Sequence, residues 1–110
     1  AFNKNILLNL NRLLNADFAV EDFEHLATYS EDLERVEMHL RARRPTSARI
    51  GDLDLAVECL FGETIRTEIC QKFSRDGVSR DFRSAGLVAT KWLSDAQNWF
   101  SLVILQKRSR

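Results

Sequence analysis

The groups in this chain able to do chemistry are paired carboxylates, two histidines and two cysteines, and their spacing decides what each can do. Asp52 with Asp54, and Glu21 with Asp22, are the candidate carboxylate pairs. General acid–base work needs burial or a charged partner to move a carboxyl pKa toward neutrality. Both pairs fall on the polar side of amphipathic segments, where they read as solvated acids. His25 and His39 stand fourteen residues apart with no cysteine beside them and no His-x-x-x-His pair, so neither has a zinc-ligand spacing. Cys59 and Cys70 are eleven apart without a second pair, and they read as reduced core thiols. Gly51, Gly62, Gly77 and Gly86 are scattered, and none belongs to a phosphate-binding loop. The chain is therefore expected to have no catalytic residue, no cofactor and no metal.

Two further groups bear on binding. Arg41, Arg43, Arg44 and Arg49, with Lys107, Arg108 and Arg110, can contact phosphate. Helix C-termini and chain ends attract basic residues as well, and sixteen basic residues balance sixteen acidic ones. A neutral chain lacks the broad positive field of a non-specific nucleic-acid binder, so nucleic acid is disfavoured as a partner. Trp92 and Trp99 stand seven apart, a spacing that suits one face of a helix.

The elements that position these groups read as helical throughout. One proline, four glycines and one tyrosine in 110 residues, 45% of them hydrophobic, favour helix over strand. Phe2, Ile6, Leu10, Leu13 and Leu14, beside Leu7, predict a first amphipathic helix ending near Asn15 to Phe18. A second begins at Ala19 and buries Phe23 and Leu26. Thr28-Tyr29-Ser30-Glu31 has the capping-box form, and it predicts a third helix carrying Leu33, Val36 and Leu40 inward. Pro45 closes that helix, and Ile50, Leu53, Val57, Leu60 and Phe61 predict a fourth. Gly62 is then a kink or a break before Ile65, Ile69 and Phe73. Val78, Phe82, Ala85, Ala89, Trp92, Ala96, Trp99 and Val103 alternate steps of four and three, predicting one terminal helix of roughly 38 Å.

The expected fold class is thus all-α, a compact bundle of five or six helices with a long C-terminal helix. Residues 1–110 read as a single domain, excised from a longer protein. No stretch is long and apolar enough for a membrane span and no signal-peptide cleavage site appears, so an intracellular, soluble domain is expected. The wide apolar stripe at the end of the last helix marks Trp99 and Val103 as candidates for self-association in a homodimer.

Several segments, read in order from Leu7 to Trp92, resemble the N-terminal helical domain of the transcription elongation factor TFIIS and the related integrase-binding domain of lens epithelium-derived growth factor. They are a helix at Ala19 to Ala27, the opening Ser30-Glu31-Asp32-Leu33, the step Ile50-Gly51, and Ala85-Gly86-Leu87-Val88-Ala89-Thr90-Lys91-Trp92. The segment Lys72-Phe73-Ser74-Arg75-Asp76-Gly77-Val78-Ser79 is similar to the basic-aromatic turn that precedes that family's last helix. The resemblance implies a nuclear, non-catalytic protein-protein interaction module that binds short disordered motifs of transcription or chromatin factors. It also implies a pocket formed by two interhelical loops, with Asp17 and Phe18 in one and Phe73 and Val78 in the other. Read from the residues alone, Phe73 and Val78 equally occupy core positions, and Asp17 equally caps the second helix.

Overall fold

The computed structural model describes residues 2–109. Strands make up 46% of the described residues and helix, short 3-10 turns included, 23%, so the expectation of an all-α bundle is wrong. Among the described residues there are two α-helices and seven strands, and every strand pair is antiparallel. The error has a physical source. Side chains four positions apart share a face in a helix of period 3.6 and also in a strand of period 2. Val36 and Leu40, which suggest a helix, lie on strand Arg35–Ala42, where Val36, Met38, Leu40 and Ala42 alternate with Arg35, Glu37, His39 and Arg41.

The chain divides into two compact units, Ala1–Lys72 and Phe73–Arg110. The first opens with α1 (Asn5–Leu13), which turns Leu7 fully inward and half-buries Leu10 and Leu14, while Phe2, Ile6 and Leu13 stay exposed. Strands β1 (Phe23–Ser30), β2 (Arg35–Ala42) and β5 (Thr64–Gln71) form one sheet in the order β1-β2-β5. Between β2 and β5 the chain makes a separate hairpin of β3 (Thr46–Ile50) and β4 (Leu55–Cys59). Leu7, Phe18, Phe23, Leu40, Ala42, Ala48, Ile50 and Cys59 are its buried core, and Phe18 meets Phe23 edge to face with ring centroids 6.4 Å apart.

The helix-start signals have other uses here. Ser30 ends β1, and its hydroxyl oxygen accepts the Leu33 amide at 3.3 Å, so the capping chemistry at Thr28–Glu31 serves a tight turn into β2 in which Glu34 takes a positive φ. Gly62, at φ +84°, makes the turn between β4 and β5. Gly51 is needed for space. Its amide donates to the Asn15 carbonyl at 3.0 Å, and a Cβ there would lie 2.9 Å from that same oxygen.

The second unit consists of α2 (Arg75–Ser84) and a hairpin of β6 (Leu87–Ser94) and β7 (Ser101–Lys107). Ser74 caps α2 by accepting the Gly77 amide at 3.1 Å. The predicted long terminal helix therefore stops after ten residues, where Gly86 takes φ +73°. Its seam survived in the pattern because β6 carries a register shift between Ala89 and Lys91. One extra residue, Thr90, puts Ala89 and Trp92 on the same face, so a bulged strand imitates the helical step of three. Phe82 packs on Trp92 at 6.4 Å and the Arg75 guanidinium lies 4.7 Å over the Trp92 ring.

Candidate functional site

β5 reads Thr64-Ile65-Arg66-Thr67-Glu68-Ile69-Cys70-Gln71, and simple alternation would place Glu68 on the face of Arg66. The ladder prevents this. Arg66 stands opposite His39 and Glu68 opposite Met38, which leaves Thr67 as an extra residue in β5. Cross-strand partners share a face, so the bulge carries Glu68 over to the side of Met38 and brings Cys70 to the side of Val36. Without it, Glu68 would fall beside Glu37, and two carboxylates directly opposed are destabilising.

The two faces of this sheet then differ in kind. On one, Arg41 pairs with Glu24 at 2.8 Å, and Glu37 accepts from Arg35 at 2.6 Å, contacts His39 Nε2 at 3.1 Å and meets Arg66 at 3.4 Å. The hydrogen bond from Arg35 holds the Glu37 carboxyl below the usual range against the opposing effect of burial. Those groups pair with one another, except that the buried His39 Nδ1 has no hydrogen-bond partner, and the face is a structural ion network. The opposite face is buried at one end, where Phe23, Leu40 and Ala42 join the core. Toward its other end it carries Ala27 and Tyr29 from β1, Val36 and Met38 from β2, and Glu68 and Cys70 from β5. Ala27, Tyr29 and Glu68 are exposed, and Val36, Met38 and Cys70 are half-buried. Among the described residues Glu68 makes no ion pair. A carboxylate beside a thioether, a thiol reached by Lys72 Nζ at 3.3 Å and a tyrosine is a surface suited to a small ligand bearing N–H groups.

Where the buried part of this face meets the open part lies Asn3, 8% exposed. Its amide nitrogen donates to His25 Nδ1 and to the His39 carbonyl, both at 2.9 Å, and its Oδ1 accepts from the Thr67 hydroxyl. That hydroxyl also lies 3.1 Å from the Met38 carbonyl.

The residues expected to bind a partner have other settings. Asp17 accepts the Arg49 amide at 2.6 Å, and Phe18 is buried in the core with its backbone clamped by the Asn11 side chain at 2.8 and 2.9 Å. These two belong to the first unit, whereas Phe73, 69% exposed, and Val78, half-buried on α2, belong to the second. Trp99 is 89% exposed in the β6–β7 loop, and Val103 is half-buried on β7. They therefore do not lie on one helix face. Of the basic cluster, Arg41, Arg44 and Arg49 are paired with Glu24, Asp22 and Asp54. Both cysteines are free, and the described residues contain no group of three or more metal-ligating side chains. Glu68 and Met38 escaped the sequence reading, and Cys70, expected as a reduced core thiol, is a free thiol half-buried on the open face. The alternation of Arg35 to Ala42 was the signal for β2, but nothing in the residue pattern announces the bulge.

The three-stranded antiparallel sheet thus has one face carrying an ion network and one face left partly open. Comparison with known proteins gives that surface a context. The family described as histidine-specific methyltransferase, SAM-dependent, matches residues 1–107, and the chain belongs to it. It is 43% identical over 102 residues to the histidine N-alpha-methyltransferase of Mycolicibacterium smegmatis, covering 93% of this chain and 32% of that protein. To the histidine N-alpha-methyltransferase of Mycobacterium tuberculosis it is 40% identical over 106 residues, 96% of this chain and 33% of that protein. The chain thus spans about a third of the length of these relatives.

Membership of an enzyme family overturns the resemblance to the TFIIS and integrase-binding domains, and with it the non-catalytic interaction module and the transcriptional keywords. The nuclear expectation was carried by that resemblance and loses its basis. The alternatives of a helical oligomerisation domain and a nucleic-acid-contacting helical domain have no helical bundle to rest on. The cofactor named by the family is S-adenosylmethionine, which bears a nucleoside. Nucleotide-bearing cofactors are typically held where a glycine-rich turn leads a strand of a parallel sheet into a helix. Among the described residues all strand pairs are antiparallel and the glycines are dispersed through separate elements. These residues do not fit such a cradle.

Proposed function

We propose that this chain is the substrate-recognising part of a SAM-dependent methyltransferase acting on the α-amino group of histidine, and that the open face of β1-β2-β5 receives the amino acid. The observation that carries the reading is the placement of Glu68. A strand bulge delivers an unpaired carboxylate to a half-apolar surface in a chain belonging to a histidine-specific family. Histidine is small, carries an amino group and an imidazole, and offers N–H donors at both. A carboxylate accepts from them through charge-assisted hydrogen bonds, while Met38, Val36 and Tyr29 give its ring an apolar wall. Residues outside these 110 then supply the cofactor site, and this chain supplies selection of the amino acid.

The test is methyl transfer by the protein that carries this chain, given SAM and single amino acids. Histidine should be methylated at nitrogen, and Glu68→Gln should raise the KM for histidine about tenfold, the worth of one hydrogen bond to a charged group. Equal turnover of other amino acids, or an unchanged KM in the variant, would defeat the assignment.

A further inference from the structure

Beneath that surface lie Asn3, which is buried, and Thr67, which is half-buried. Asn3 is a buried side chain whose two N–H groups and carbonyl oxygen are all engaged, by three different segments: His25 on β1, the His39 carbonyl on β2 and the Thr67 hydroxyl on β5. Thr67 is the extra residue of the bulge, and the His39 and Met38 carbonyls are the backbone groups on either side of the register shift. Asn3 therefore ties all three strands together at the point where the ladder slips by one.

We infer that the Asn3–Thr67 pair is the positioning device for Glu68, holding the bulge in the register that presents the carboxylate to the amino-acid substrate. This rests on the assignment of Glu68 above and deepens it. A strand free to slip by one residue would turn its following side chains to the opposite face. Glu68 would then enter the Arg35–Glu37–His39–Arg66 network, where Arg66 would draw it and Glu37 would repel it. A threonine hydroxyl pinned by a buried amide removes that freedom. Asn3 and Thr67 are positioning residues: they act on substrate only through the place they give Glu68.

The experiment is a double-mutant cycle in the protein carrying this chain, with Thr67→Val, Glu68→Gln and the pair, reading KM for histidine, KM for SAM and the melting temperature. Thr67→Val keeps the shape of the side chain and removes the hydroxyl, so KM for histidine should rise about tenfold with KM for SAM unchanged. Thr67→Ser, which restores the hydroxyl, should return KM to within twofold of the wild type. In the Glu68→Gln background Thr67→Val should add less than a twofold further rise, because the carboxylate it positions is gone. Should the valine variant not fold, Thr67→Ala takes its place in the same cycle. A wild-type KM in the hydroxyl-free variant, or a rise of the same size in both backgrounds, would overturn the positioning role. No effect of Glu68→Gln itself would instead remove the site assignment on which this inference stands.

Discussion

Glu68 stands opposite Met38 across the β2–β5 ladder, and it does so because Thr67, the residue before it, has no partner in β2. One unpaired residue thus decides which side of a sheet a carboxylate occupies. A group placed for a ligand rather than for the fold should cost little to change. Glu68→Gln is expected to alter the unfolding free energy by less than about 0.5 kcal/mol, the usual size for an exposed site outside any network. A urea melt of the variant checks this, and a loss several times larger would make Glu68 a structural residue.

Leu40 gives the contrasting case. It is 0% exposed at the centre of the first unit's core, so Leu40→Ala removes buried methyl groups and leaves a cavity. The expected loss is about 2–5 kcal/mol, measurable as a shifted urea midpoint with little change in slope.

Gly51 is held by distance rather than by a special backbone angle. A Cβ would press 2.9 Å from the Asn15 carbonyl oxygen, which already accepts the Gly51 amide. Relief requires moving backbone, so Gly51→Ala should destabilise by about 1–3 kcal/mol. A variant as stable as the wild type would show that the Asn15 turn yields freely.

Acid should expose the ion network on the other sheet face. The Arg35 hydrogen bond lowers the Glu37 carboxyl below its unfolded value, and amide donors, Phe100 first, do the same for Asp95 in the β6–β7 loop. A depressed carboxyl contributes stability that is complete above its unfolded pKa and is lost as pH falls through the folded one. Stability should therefore decline with falling pH across the acid range. Glu37→Gln should be less stable at neutral pH and show a shallower acid slope, and a variant with the wild-type slope would refute the linkage.

The two thiols should separate under alkylation. Burial, with the Glu63 carboxylate adding to it, pushes the Cys59 thiol up, and only 8% of the residue is exposed. Thiolate is the reacting form, so Cys59 should stay unlabelled by iodoacetamide until the protein unfolds, while the half-exposed Cys70 reacts in the native state. Equal labelling rates by mass spectrometry would contradict the packing.

Part of this protein was legible without coordinates. The first helix is real because Leu7, Leu10 and Leu14 follow a helical stripe between polar residues, whereas the terminal helix, whose pattern was read from Val78, begins at Arg75 behind a Ser74 cap. Thr28–Glu31, read as a helix start, instead serves the turn from β1 into β2, and Gly62, read as a kink or break between helical segments, makes the turn between β4 and β5. The β2 strand was present in plain alternation from Arg35 to Ala42, but steps of four favour helix and strand alike. The terminal hairpin was hidden more deeply, since the Thr90 bulge gives a strand the helical step from Ala89 to Trp92.

What the sequence determined by itself is local: which residues are apolar and where turns are cheap. What only the tertiary structure decided is pairing. Glu68 and Met38 are thirty residues apart in the chain, and Asn3 and Thr67 sixty-four. A bulge is a relation between two strands rather than a property of either, so the face that Glu68 presents was settled only when β5 met β2 around Asn3.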